Sequence, residues 1–277
     1  MYIEKLDKII TLSDVEKHIE LLENDIVYFG GSLIEGKLNK NSIGMGNIYS
    51  DLDMFVIRDE EKFSETESTY KNKFKKTTFI RVNGMSIDVE IFNYEYIRKL
   101  IDELNSVKLD LNIRMDNVLN IDLTLQEINT FLCRLKYSIN IKNKNKYDDL
   151  LKTIDFNNFL KIYKESLYNS WDNKLDDTLG NLKEKQYNVA LHCCRIMFIE
   201  FSKHYLAEHS ELIDRDKWIF LKAINTANTL KDKEFELKYN ELFCSDVSDD
   251  EDKEKIIKRS LNFMKKKMDE FTLSDLI

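Results

Sequence analysis

Apolar residues follow three rhythms along this chain. In 13–24 (SDVEKHIELLEN), Val15, Ile19 and Leu22 recur at helical spacing behind Ser13, with Glu16 three residues on; this predicts an amphipathic helix capped by Ser13. The short apolar runs in 25–31 (DIVYFGG) and 52–57 (LDMFVI) predict two buried strands, the first ending in glycines. Two β-rich runs within 77–93 flank Asn83-Gly84, a dipeptide that accepts the positive φ angles of a two-residue hairpin turn. From Tyr94 the pattern turns helical, with Tyr94, Ile97 and Leu100 on one face. Beyond about residue 121 strand signals nearly vanish, and helical periodicity covers 122–140, about 146–170, 183–208, 215–229 and 252–270. The polar stretches 142–149 and 245–254 read as solvated loops. The expected fold class is α+β, with a domain carrying all the strands over 1–120 and an all-helical domain over 121–277. The helices would close one side of a substrate cleft.

Composition narrows the partners. At 277 residues with 43% hydrophobic content the chain can bury a sizeable core. Its net charge of −8 argues against a protein whose task is coating nucleic acid and favours small or cationic partners. No apolar run approaches 18 residues and the N-terminus lacks a signal-peptide pattern, so the expectation is no membrane and a cytoplasmic location. Cys133, Cys193, Cys194 and Cys244 have no metal-ligand spacing and read as core or incidental thiols.

Candidate chemistry gathers between residues 30 and 90. Five of the seven glycines lie between Gly30 and Gly46. Gly30, Gly31 and Ser32 follow a predicted strand and precede 33–36 (LIEG), which could begin a helix. Such a turn can cradle a phosphate through its backbone amides, or simply join strand to helix. Asp51 and Asp53, two apart at the start of a strand, project from one face and offer hard oxygen ligands for one or two Mg²⁺ ions; capping and loop stabilisation are the structural alternatives. Asp88 and Glu90 share a face opposite Ile87, Val89 and Ile91, so an apolar core face carries a paired acidic one. A third carboxylate beside a DxD pair suits two-metal phosphoryl or nucleotidyl transfer, whereas Glu90 is equally readable as a solvated strand residue.

The order GGS (30–32), a glycine-bearing loop, SDLD (50–53) and IDV (87–89) resembles the polymerase-beta-like nucleotidyltransferase superfamily over about residues 20–95. The loop is similar to that of bacterial stand-alone nucleotidyltransferases, which include antibiotic-modifying and natural-product enzymes. The resemblance implies a mixed sheet backed by helices, a nucleoside triphosphate at Gly31 and Ser32, Mg²⁺ at Asp51 and Asp53, and Asp88 as the third carboxylate. It also makes Arg195 and Lys217, in segments similar to the helices packed over the active site in antibiotic nucleotidyltransferases, candidates for the triphosphate; solvated or ion-paired roles are the alternative. The departure is 37–43 (KLNKNSI), which reads as an insertion flanked by Gly36, Gly44 and Gly46.

The function so implied is Mg²⁺-dependent transfer of an NMP, AMP from ATP in the first instance, to a hydroxyl or phosphate of a small acceptor, with Asp88 or Glu90 assisting deprotonation. An aminoglycoside-like cation or a biosynthetic intermediate would serve as acceptor. The alternatives are a toxin-like enzyme that modifies protein or tRNA, and a non-catalytic nucleotide-sensing module.

Overall fold

The computed structural model describes residues 1–38, 45–109 and 118–275. Elements run in the order β1 (Tyr2–Ile3), β2 (Lys8–Ile9), α1 (Leu12–Glu16), β3 (Ile26–Gly30), α2 (Ser32–Leu38), β4 (Leu52–Arg58), α3 (Glu60–Glu65), β5 (Tyr70–Lys71), β6 (Lys75–Val82), β7 (Met85–Asn93) and α4 (Tyr94–Ser106). Then follow α5 (Leu125–Lys136), β8 (Ile139–Lys142), α6 (Lys144–Thr153), α7 (Phe156–Lys183), α8 (Tyr187–Glu208), α9 (Ile219–Leu230), α10 (Lys233–Phe243) and α11 (Asp250–Asp275). The fold is α+β: a six-stranded sheet and a two-stranded ribbon, followed by a largely helical region. Among the described residues no helix is long and apolar enough to cross a membrane.

The chain divides into two compact units within α7, between Phe159 and Leu160, rather than at 120/121. The reason is β8. Its residues pair antiparallel with β3, so α5, β8 and α6 belong with the sheet. In the sequence β8 is four residues of mixed polarity, all half-buried, between two helical patterns, and the expected 122–140 helix ran through its start.

In the first unit the sheet order is β5-β6-β7-β4-β3-β8. Only β4 and β7 run parallel; the other pairs are antiparallel, which makes the sheet mixed. The hairpin between β6 and β7 turns at Asn83 (φ 51°) and Gly84 (φ 72°), as the dipeptide predicts. Strict alternation in β7 sends Ile87, Val89 and Ile91 to one face, where they join Val27, Phe29, Met54, Val56, Leu33 and Ile34 in a dry core. The opposite face holds an aromatic layer in which Phe92 meets Phe55, Phe74 and Phe131. The first helix is short, and its capping box is Thr11 with Asp14, two residues ahead of the expected Ser13 with Glu16: Thr11 accepts from the Asp14 amide while the Asp14 carboxylate accepts from the Thr11 amide.

The second unit packs α8 against α9 and α11, with α10 against both of these. Its centre is aromatic: Phe198 lies within ring contact of Phe201, Phe220, Phe235, Phe243 and Phe263. Two helices that the sequence merged or passed over are resolved here. The expected 146–170 helix is two, α6 and α7, broken near Ile154, and α10 was not anticipated. Cys133 and Cys194 are buried and none of the four cysteines is in a disulfide; burial pushes the Cys194 thiol up to about 12.

Candidate active site

Registry places the acidic residues. Reading across the sheet, Gly30 on β3 pairs with Asp53 on β4, Asp53 with Asp88 on β7, and Asp88 with Phe79 on β6. Paired residues point to the same face, so these four form one row, each step about 4.8 Å wide. The next row along the same face is Tyr28, Phe55, Glu90 and Thr77. Both β7 carboxylates, Asp88 and Glu90, therefore face the same way as Asp53. Asp51 lies just before β4 and is exposed.

Gly31 closes the row at the β3 end. Its φ of +74° turns the chain out of the strand, and its carbonyl accepts from the Ile34 and Glu35 amides to open α2. A Cβ at this position would lie 1.8 Å from Asp53 Oδ2. Thus the Gly31 turn and the Asp53 carboxylate adjoin one another across β3 and β4. Of the stretch 37–43, residues 39–43 lie outside the described residues, as does Gly44.

The electrostatics separate the acids. Arg134, buried on α5, stands 3.5 Å from Asp53 Oδ1 and 3.6 Å from Glu90 Oε2, with its guanidinium over the Phe55 ring. Lys75 Nζ donates to Glu90 Oε1 at 2.6 Å. Glu90 is consequently held between two cations. Asp88 makes no hydrogen bond or ion pair among the described residues. Burial raises its pKa, and the negative charges of Asp51 and Glu90 raise it further, against a lowering by Arg134. Tyr28, wholly buried beneath the same face and stacked on Phe55, has a hydroxyl without a hydrogen-bond partner; burial holds it un-ionised.

Asp51, Asp53 and Asp88 are the hard oxygen donors that Mg²⁺ takes, and Asp51 is close enough to Asp88 for their charges to interact. Among the described residues, however, no three His, Cys, Asp or Glu side chains already form a metal-holding group. Asp53 instead faces the Arg134 guanidinium.

Arg195 and Lys217 lie in the helical unit. Arg195 Nε donates to the Leu242 carbonyl at 3.0 Å and its guanidinium sits over Phe243; Lys217 Nζ lies over the Trp218 ring. The acidic row is built by the first unit without them. Arg134 and Lys75 were not among the sequence candidates. A cation inside the apolar run 131–135 (FLCRL) was the available signal for Arg134, since burying a guanidinium there requires acidic partners.

No protein-family model and no curated protein matches the chain. Among solved structures it is similar to a nucleotidyltransferase-like protein from Exiguobacterium sibiricum 255-15, with a TM-score of 0.43 and 10% identity over 91% of this chain and 70% of that one.

Proposed function

We propose that this chain is a nucleotidyltransferase that moves an NMP from a nucleoside triphosphate, ATP in the first instance, to a hydroxyl of a small acceptor. The observation that carries the reading is the in-register row Gly30–Asp53–Asp88, with the Gly31 turn against the Asp53 carboxylate. It joins an anion-binding turn to carboxylates on adjacent strands, the order that the GGS, SDLD and IDV motifs lead one to expect.

In this reading Gly31 and Ser32 receive the triphosphate, and Asp51, Asp53 and Asp88 hold Mg²⁺, which when bound supplies charge neutralisation for the phosphates. Asp88 is the base, acting through the carboxylate oxygen that the metal leaves open: Glu90 is committed to Lys75 and Arg134, whereas Asp88 has no hydrogen-bond or ion-pair partner among the described residues. The acceptor oxygen attacks the α-phosphorus as its proton passes to the Asp88 carboxylate; the bond from the α-phosphorus to the bridging oxygen breaks, and pyrophosphate leaves with that electron pair.

The test is pyrophosphate release from ATP and Mg²⁺ with a panel of hydroxylated acceptors, in wild type and in the Asp51→Asn/Asp53→Asn double variant. Release in wild type and its loss in the variant are expected; equal release in both rejects the assignment. A second reading, a nucleotide-sensing module without transferase activity, draws on the unclosed carboxylate set and the Arg134 contact to Asp53. It predicts Mg²⁺·ATP binding without release across the whole panel.

A further inference from the structure

The row that carries Asp53 and Asp88 continues one strand further, to a residue the chemistry above does not use. Phe79 on β6 is paired with Asp88 and is 54% exposed. Tyr70 on β5 pairs with Thr77 and so shares the same face; it is 65% exposed. The two rings meet edge to face, with centroids 6.2 Å apart at 83°. Two exposed aromatic rings in contact at the rim of an acidic face form an apolar patch beside polar groups, the makeup of a small-molecule site. Arg81, two residues along β6, points to the same face, is exposed, and makes no hydrogen bond or ion pair among the described residues.

Position in the row decides which substrate this patch meets. The Gly31–Ser32 turn is at one end, Asp53 and Asp88 are in the middle, and Phe79 is at the other end. A triphosphate held at the turn reaches the carboxylates from the β3 side, so a hydroxyl approaching Asp88 from the opposite side passes over Phe79. Resting on the transferase reading above, we infer that Phe79 and Tyr70 form the acceptor platform, and that the acceptor is a planar ring compound whose anionic substituent is met by Arg81. A flat aromatic ring offers its whole π face to an aromatic side chain, whereas a puckered saturated ring makes less contact through its axial C–H groups, and a guanidinium pairs with a carboxylate in a fork geometry.

The experiment uses the whole chain and two probes with the same para arrangement of hydroxyl and carboxylate on an aromatic and a saturated ring, 4-hydroxybenzoate and trans-4-hydroxycyclohexanecarboxylate, titrated by ligand-observed NMR. Wild type is expected to bind the aromatic probe at least fivefold more tightly than the saturated one. Phe79→Ala should abolish that preference, Phe79→Trp should keep it, and Arg81→Met should weaken both probes alike. Binding of α,β-methylene-ATP with Mg²⁺, followed by calorimetry, should be the same in wild type and Phe79→Ala, since the platform lies away from the phosphate turn.

The platform is overturned if neither ring binds, or if both bind wild type and Phe79→Ala equally. Loss of the ATP analogue in Phe79→Ala would also overturn it, by assigning the rings to the nucleobase. So would a wild-type dimer that Phe79→Ala converts to monomer in sedimentation, which would make the patch an interface between copies. An aromatic preference lost in Phe79→Ala, in a wild type that fails to bind the ATP analogue, would instead reject the transferase reading and leave the platform standing.

Discussion

The α-carbon of Gly31 and the carboxylate of Asp53 occupy adjoining space so closely that a methyl group on the glycine would stand 1.8 Å from Asp53 Oδ2. Two constraints meet there, because Gly31 also has φ +74°, a conformation that costs a side-chain-bearing residue about 1–3 kcal/mol. Gly31→Ala must pay for both by shifting either the turn or Asp53. A fall in melting temperature of roughly 4–8 °C is expected, from ~2 kcal/mol at about 2–4 °C per kcal/mol for a chain of this size. Binding of Mg²⁺·ATP should be lost at the same time. An alanine variant with wild-type melting and binding would show that the turn and the carboxylate move independently.

Arg134 brings a buried positive charge to the acidic face from α5. With its side chain buried and its guanidinium between Asp53 and Glu90, it stabilises both carboxylates and lowers the proton affinity of Asp88. Arg134→Met removes a cation that repels any metal at Asp53, so Mg²⁺ should bind more tightly, by about fivefold for repulsion on the order of 1 kcal/mol. The Asp88 carboxyl should titrate at higher pH than in wild type. Arg134→Lys should reproduce the wild-type titration in part. Carbon-13 NMR of the carboxyl groups with and without Mg²⁺ measures both effects, and weaker Mg²⁺ binding in Arg134→Met would make Arg134 an organiser of the ligands instead.

Much of this face was legible in the sequence because period-two alternation is a local property. Asp88 and Glu90 could be placed on a common face from spacing alone, and Asn83-Gly84 identified the hairpin that presents them; Asp51, just ahead of β4, lies outside the strand that carries Asp53. What spacing does not reveal is pairing between distant strands. That Asp88 lies beside Asp53, not one residue out of step, depends on parallel pairing of β4 with β7, segments separated by α3, β5 and β6. The same limit hid β8, whose half-buried residues acquire a strand's role only from β3, and with it the attachment of α5 and Arg134 to the sheet. Phe79 read as an ordinary β-former until registry placed it at the end of the acidic row.

A structural ion pair gives a contrasting case away from the acidic row. Asp25 precedes β3 and Arg58 ends β4; both are nearly inaccessible, and Arg58 grips Asp25 through Nε at 3.1 Å and a terminal nitrogen at 2.6 Å. The guanidinium also donates to Thr66 Oγ1 and the Glu20 carbonyl, while Asp25 accepts from the Leu22 amide, so the buried charges are well supplied with partners. Arg58→Met should cost about 3–5 kcal/mol by stranding the carboxylate. Adding Asp25→Asn should recover part of that loss, since a neutral amide is less costly to bury. Urea denaturation of the two single variants and the double variant gives the coupling; additive losses would mean that the pair contributes no mutual stabilisation.

Asp88 links the proposed chemistry to stability through pH. Its folded pKa lies above the ordinary carboxylate value because it is partly buried and close to the charges of Asp51 and Glu90. The folded chain therefore holds a proton that the unfolded chain has already released, across the window from the ordinary value up to the raised one. Within that window stability falls as pH rises, and above it the folded state carries the full cost of ionising Asp88. Asp88→Asn removes that cost while keeping the shape of the side chain. At pH 7 the variant should melt above wild type by about 1–2 °C, a small margin because Asp88 remains largely solvated and its interactions are screened. At pH 3, where wild-type Asp88 is protonated in both states, the difference should vanish. Added Mg²⁺ should reverse the order at pH 7, stabilising wild type more than the variant, because Asp88→Asn removes one of three charged oxygen ligands. A melting difference that is the same at both pH values would place its origin in packing and not in the Asp88 charge.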